Sequence, residues 1–310
     1  MLVLLNPRAG AGRAEERWRR VEGLVRSSDP VCEVVTPGDA AAVPAVVGDA
    51  LARGERRFVA AGGDGTVNLV LAALIARADG ALGDVVLGAV GLGSSNDFHK
   101  PVAAANLVGG VPCRLDFAGA ALIDVCWLRC RAVDGRVVAR PWVINASIGA
   151  TADGNHYYST GTTRVIRLLR RLSPDAALAW AAVRAVAANR PRALTLALDG
   201  GAPFTLRLRN LGVVKNPHFT GVLRYDTPFA PADGTFYVHG LAAVSTGRLW
   251  GTLARLARGR FVGRPGTLTC RACRLTVSAR EPFAVEADGE VVCTRAARFT
   301  VQPRALRVCA

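Results

Sequence analysis

Short apolar runs alternate with amphipathic stretches through the first third of the chain. Met1–Leu5, Val31–Thr36, Arg57–Ala61 and Val85–Val90 have the length and composition of buried strands, and Ala14–Ser27, Ala40–Arg53 and Val67–Ala78 have helical spacing. This alternation predicts a mostly parallel sheet covered on both faces, with ligands bound beyond the carboxyl ends of its strands. After Asp116 the period falls to two. Leu122–Arg131, Arg136–Ile144, Ala193–Leu198, Phe204–Leu211, Gly234–Leu241, Thr267–Ser278, Phe283–Glu286 and Arg298–Val301 read as strands divided by Gly, Pro and Asp turns. Helical insertions are expected at Thr163–Ala188 and Thr246–Arg260. The predicted organisation is an α/β nucleotide-binding domain over residues 1–119 and an antiparallel β-sandwich over 120–310, with residues 300–310 able to pack back on the first domain.

A chain of 310 residues, 51% hydrophobic and 20% charged, has material for two packed cores. Its net charge of +15 is carried almost wholly by Arg, because Lys occurs only at Lys100 and Lys215. Such a surface attracts nucleotides, nucleic acid or an anionic membrane, although an even spread of Arg would give the same total. No stacking-aromatic platform accompanies the charge, which argues against nucleic acid. No apolar run reaches 18 residues and the first residues lack a signal peptide's basic start, so a cytoplasmic protein is expected. Among eight cysteines only Cys270 and Cys273 form a C-x-x-C pair. A zinc site completed by Cys293 and Cys309 would lack a second close pair, so reduced thiols are expected.

The densest chemistry lies where predicted strands end. Gly62-Gly63-Asp64-Gly65-Thr66 follows one strand and opens a helix, and consecutive glycines let backbone amides approach a polyphosphate at a helix N-terminus. A carboxylate there, Asp64, implies Mg²⁺ or a ribose hydroxyl, since phosphates would otherwise repel it; a capped tight turn is the plain alternative. Two further Gly-bearing turns follow strands, Asn6-Pro7-Arg8-Ala9-Gly10-Ala11-Gly12-Arg13 and Gly91-Leu92-Gly93-Ser94-Ser95-Asn96-Asp97-Phe98. Neither has P-loop spacing, so the grip on phosphate falls to amides, Arg13 and hydroxyls such as Ser94. Downstream, Glu286-Ala287-Asp288-Gly289-Glu290 sets two carboxylates beside a Gly; a hairpin built on Asp-Gly explains the same string.

These segments together, with Asn68 after Thr66, resemble the diacylglycerol kinase and sphingosine kinase superfamily, especially its small bacterial lipid kinases. The Gly-Gly-Asp-Gly-Thr string is shared with NAD kinases; the S-x-N-D-F loop and the Asp-Gly-Glu segment favour the lipid branch. The resemblance implies a Rossmann-like nucleotide domain, a β-sandwich second domain and an active site in the cleft between them. It implies ATP as co-substrate, with Asn6, Pro7, Gly10, Arg13, Thr36, Gly62, Gly63, Asp64, Gly65, Thr66, Asn68, Ser94, Asn96 and Asp97 around it. It implies Asp288 as general base with Glu290 beside it, Mg²⁺ among Asp64, Asp116 and Glu290, and Asp233 in a structural metal loop. The chain departs from the pattern at Gly91, usually Pro, at Ser95, usually Gly, and at His99, usually Ala.

The expected function is therefore an ATP-dependent lipid kinase, most simply one acting on diacylglycerol. An NAD kinase-like enzyme and a non-catalytic nucleotide-binding module are the alternatives. Peripheral contact with an anionic membrane is expected through Arg164, Arg167, Arg170 and Arg171 interleaved with Leu168, Leu169 and Leu172, and through Arg248, Arg255, Arg258 and Arg260 interleaved with Leu249, Trp250, Leu253 and Phe261. Docking of these helices onto the sandwich explains the same pattern. His156-Tyr157-Tyr158 and Lys215-Asn216-Pro217-His218 are expected on loops near the acceptor. The sequence leaves a homodimer open.

Overall fold

The computed structural model describes residues 1–29, 31–77, 82–102, 106–161, 163, 165–166, 168–169 and 174–310. The chain divides into two compact units, one of Met1–Val125, Pro231–Asp233 and Gln302–Ala310, the other of Cys126–Ala230 and Gly234–Val301.

In the first unit, strands β1 (Leu2–Leu5), β2 (Glu33–Val35), β3 (Arg57–Gly62) and β4 (Val86–Gly91) pair in parallel in the order β2-β1-β3-β4. Helix α1 (Ala14–Ser27) buries Trp18, Val21 and Val25 against Val3, Val59 and Val90 on one face of this sheet. The two-residue period of the strands sends Leu4, Phe58 and Ala60 to the opposite face. There α2 (Val43–Ala52) packs on α3 (Asp64–Arg77), which also touches β3 and β4. Helix α3 starts at Asp64, three residues before the apolar period begins, because the amides of Thr66 and Val67 already bond Gly63 O at 2.8 and 3.2 Å. Short strands β5 (Leu107–Val108) and β6 (Val111–Arg114) follow, and β6 runs antiparallel to β4.

The second unit contains β7 (Ala121–Ala132, shared with the first), β8 (Val137–Trp142), β9 (Asn145–Gly149), α4 (Ala150–Thr160), α5 (Pro174–Ala188), β10 (Arg192–Leu198) and β11 (Phe204–Val214). It continues with β12 (His218–Phe219), β13 (Leu223–Arg224), β14 (Phe236–Ala242), α6 (Thr246–Leu256), β15 (Thr267–Ala272), β16 (Arg274–Ala287) and β17 (Glu290–Val308). Its strands pair antiparallel in the order β15-β14-β11-β10-β16-β17. Trp142, Leu128, Ile148, Leu196, Phe236, Phe283 and Phe299 belong to its core. Strands β10 and β9 share one lane: β11 pairs β10 through residues 204–208 and β9 through 210–214, while β16 pairs β10 through 275–278 and β9 through 285–287. That arrangement seats β9 beside the end of β16.

Several boundaries differ from the sequence expectation. Thr267–Ser278 is two strands turned at Cys273, and Phe283–Glu286 belongs to the long β16, past an irregularity after Ser278. Arg298–Val301 lies inside β17, whose residues 302–308 belong to the first unit and pair in parallel with β4 through Arg307 and Val308. Strand β9 and α4 are not visible as periodic runs, since Asn145–Gly149 is buried on nearly every side and Ala150–Thr160 is rich in small and polar residues. His156, Tyr157 and Tyr158 consequently lie on a helix and not on a loop. All eight cysteines are free thiols. Among the described residues no helix is long and apolar enough to cross a membrane.

Candidate active site

The three Gly-bearing turns meet at the carboxyl edge of the parallel sheet in the first unit. A Cβ on Gly93 would lie 2.5 Å from the Gly63 Cα, so the turns after β3 and β4 touch backbone to backbone. The turn after β1 reaches the same place: Gly10 has φ +61°, and a Cβ there would lie 2.4 Å from Leu92 O. Asn6 Nδ2 donates to Thr66 Oγ1 at 3.0 Å and joins the end of β1 to the first turn of α3. From α1, Arg17 Nη1 donates to Leu92 O at 2.9 Å and also to Gly93 O.

Asp64 joins two of the turns. Its Oδ2 accepts the Asp97 amide and its Oδ1 accepts the Phe98 amide, both at 3.0 Å. The carboxylate thus fastens the third turn to the second. Burial, with the Asp97 charge adding, pushes the Asp64 carboxyl up to about 6, while the two amides oppose that shift. Asn96 also folds the loop from within: at φ +49° it accepts from Gly93 N and donates to the carbonyls of Gly91 and Gly93. Asp97 is buried and accepts from Lys100 Nζ at 2.5 Å. Ser95, which replaces a usual Gly, has no positive φ, so its side chain meets no backbone penalty; the left-handed position belongs to Asn96. His99 is buried, and neither ring nitrogen has a hydrogen-bond partner among the described residues. Burial, helped by the Arg114 charge, pushes it down to about 3, so it is neutral.

A cavity of about 390 Å³ opens beside this junction, lined among others by Asn6, Pro7, Thr36, Asp39, Thr66 and Val70. Four of the residues expected to line the nucleotide site are therefore on its wall: Asn6, Pro7, Thr36 and Thr66. Ser94 and Gly65 are exposed at the turns, Asn68 is buried on α3, and Arg13 Nε donates back to Gly10 O at 3.4 Å. Asp116 is exposed and accepts the Gly119 amide, and Asp233 is exposed in the short segment 231–233. Among the described residues no three His, Cys, Asp or Glu side chains converge on one point.

In the second unit, β16 and β17 join through a two-residue turn at Asp288 (φ +45°) and Gly289 (φ +91°), with Ala287 paired to Glu290. Two successive positive φ angles are those of a type I′ hairpin, which Asp-Gly favours. The hairpin exists, and it is also where the acidic groups gather. Asp288 is 7% exposed; its Oδ2 accepts Val143 N at 2.9 Å and its Oδ1 accepts Ile144 N and Asn145 N at 3.1 and 3.0 Å. Glu290, in contrast, has 66% of its side chain exposed and lies 3.8 Å from Arg140 Nη2. Lys215 and Asn216 are buried, and their amides brace Ile144 O from behind. That makes this cluster a support for the turn that Asp288 grips.

Sequence reasoning missed Arg17, the amides of residues 143–145 and Glu286. The last is fully buried, accepting from Ser147 Oγ at 2.8 Å and from Gly289 N at 2.6 Å. Burial, with the Asp288 charge adding, pushes its carboxyl up to about 7. A Glu within the apolar run Phe283-Ala284-Val285-Glu286-Ala287 was the available signal.

Residues 1–120 match the diacylglycerol kinase catalytic domain, and residues 157–310 match the YegS C-terminal NAD kinase beta sandwich-like domain. No curated protein sequence matches the chain. In fold it is similar to the crystal structure of a diacylglycerol kinase from Bacillus anthracis strain Sterne, at 13% identity and TM-score 0.69, covering 99% of this chain and 95% of that one. Two further chains from that organism, provisionally described as diacylglycerol kinases, give 14% and 12% identity and TM-scores of 0.69 and 0.71, each covering 99% of this chain and 96% of the other. At these identities the likeness is one of fold.

Proposed function

Because the chain belongs to the diacylglycerol kinase superfamily, we propose that it transfers the γ-phosphoryl group of ATP to a hydroxyl of a membrane lipid, diacylglycerol being the preferred acceptor. The observation that carries this reading is the meeting of the three Gly-bearing turns beside a cavity at one sheet edge. Amides there suit a polyphosphate, and the cavity is large enough for a nucleoside.

Chemistry then requires a proton acceptor for the attacking hydroxyl. We assign it to Asp288, with Glu290 beside it: the amides of residues 143–145 hold the Asp288 carboxylate in one orientation, and three bonds do not exhaust the acceptor sites of its two oxygens. The acceptor oxygen forms a bond to the γ-phosphorus, its proton passes to Asp288, and the bond from phosphorus to the bridging oxygen breaks to leave ADP. A divalent cation, used by this kinase family in general, neutralises phosphate charge when bound. Asp64 and Asp97 are the carboxylates within the turns and Asp116 follows β6; no step is assigned to an ion they hold.

The membrane contact is proposed at α6 and the loop after it. Between Ser245 and Gly266 stand Arg248, Arg255, Arg258, Arg260 and Arg264, with no carboxylate. Leu249, Thr252 and Leu256 face the unit's interior, while Trp250, 40% exposed, and Val262 stand outward with those arginines. Near an anionic surface each Arg contributes about 1 kcal/mol. Arg248→Ala with Arg255→Ala should therefore weaken sedimentation with phosphatidylserine vesicles by roughly thirtyfold at low salt, and unchanged binding would remove this face from the proposal. The other expected membrane helix cannot be placed, since Arg164, Arg167, Arg170, Arg171 and Leu172 lie outside the described residues.

Incubation with labelled ATP, Mg²⁺ and mixed micelles of diacylglycerol, sphingosine, ceramide or polyprenol, with NAD as a soluble acceptor, tests the whole reading. Label is expected in the diacylglycerol spot. Label in NAD alone would make the protein an NAD kinase, and none anywhere would remove the transferase reading.

A further inference from the structure

We infer that Arg17 is a positioning residue that sets the direction of one phosphate-binding amide, that of Ser94, an inference that rests on the proposed nucleotide site. Arg17 stands in the first turn of α1, beside Ala14 and Trp18, which are buried in the core of the first unit. That packing limits where its guanidinium can reach. Nη1 donates to Leu92 O at 2.9 Å and to Gly93 O, and it lies 3.1 Å from the place that a Cβ on Gly10 would take. One nitrogen thus sits between the turn after β1 and the turn after β4.

The two bonds have a directional consequence. The peptide joining Gly93 to Ser94 is trans, so its carbonyl and its N–H point in opposite directions. With Gly93 O held toward α1, the Ser94 N–H faces away from α1. Helix α1 covers one face of the parallel sheet and α3 the other, and the cavity beside the turns takes Thr66 and Val70 of α3 into its wall. The Ser94 amide is therefore turned toward the side on which the cavity opens. It donates to nothing among the described residues, and Ser94 is exposed.

Glycine at position 93 is what makes the restraint necessary. Without a Cβ, the peptide after it can rotate at little steric cost. A rotated peptide would offer phosphate an oxygen in place of a donor. No lysine stands in any of the three turns, so each correctly turned amide carries more of the grip. The Arg17 bonds are charge-assisted, the stronger class of hydrogen bond, and so suit this task.

The test uses the full chain, calorimetric titration with ATP and Mg²⁺, and NMR titration with adenosine, which occupies the cavity without phosphate. Arg17→Met keeps the side-chain stem and the helix propensity but neither donor. It should weaken ATP binding about tenfold and leave adenosine within about twofold of the parent. Ser94→Pro removes the amide itself and should weaken ATP about as much. The double variant should bind ATP no more than about threefold more weakly than either single one, because both changes remove the same contact; independent contacts would multiply to about a hundredfold. Parental ATP affinity in Arg17→Met, equal losses of ATP and adenosine, or multiplied losses in the double variant would overturn the inference, the last by making Arg17 a direct ligand of phosphate. A parent protein that binds no ATP would instead remove the nucleotide site, a failure that the Arg17 variants cannot imitate.

Discussion

Glu290→Gln lowers lipid phosphorylation about tenfold while leaving stability within about 0.5 kcal/mol of the parent, because it removes a solvent-exposed carboxylate beside the proposed base and no packing. The Arg140 pairing at 3.8 Å is too exposed to alter that balance. Asp288→Asn behaves differently. Asn accepts the left-handed φ of this position, but its amide nitrogen must face a backbone N–H that Asp288 now satisfies. One buried donor loses its acceptor, at a cost of about 1–3 kcal/mol, and activity falls at least about a hundredfold because the proton acceptor is gone. Urea denaturation beside initial rates separates the two variants. A fully active Asp288→Asn would remove the base from Asp288, and an inactive, normally stable Glu290→Gln beside it would move the base to Glu290.

Gly93→Ala is the second large effect expected. The added methyl would stand 2.5 Å from the Gly63 Cα and 2.9 Å from Asn96 Oδ1, and the first neighbour is backbone, with no rotamer to absorb the clash. Overpacking of this kind costs about 1–3 kcal/mol and here must part the turns that form the proposed phosphate cradle. Calorimetric titration should show ATP affinity reduced at least about tenfold, against an unchanged Gly247→Ala control on the exposed start of α6, where a Cβ meets nothing. Wild-type affinity in Gly93→Ala would mean that phosphate is held elsewhere.

The parallel sheet and its turns were legible because each strand is a continuous apolar run and each turn is marked by glycine. The roles of individual side chains inside the turns were much less so. Asp64 and Asn96 both bond loop backbone, and a side chain's partner is set by chain that lies 33 residues away for Asp64. Asp288 lies in a hairpin turn, as Asp-Gly suggests, while nothing in Asp-Gly-Glu says that residues 143–145 aim their amides at it. Glu286 was passed over because a strand reading counts its apolar neighbours and treats one Glu as an outward position. Long-range hydrogen bonds are what one sequence withholds; periodicity and glycine placement are what it displays.

Residues 302–308 add a parallel strand beside Val86 and Leu87, and the Arg304 amide bonds Asp124, which is fully buried. During synthesis the ribosome delivers most of the first unit almost at once, but its sheet stays one strand short until about 180 more residues have emerged, a delay set by the Asp124 to Arg304 separation. For that interval the Val86 edge stands open to wrong partners. Production of residues 1–120 as an isolated fragment should therefore favour aggregation, and supplying the missing strand as a peptide is the natural remedy.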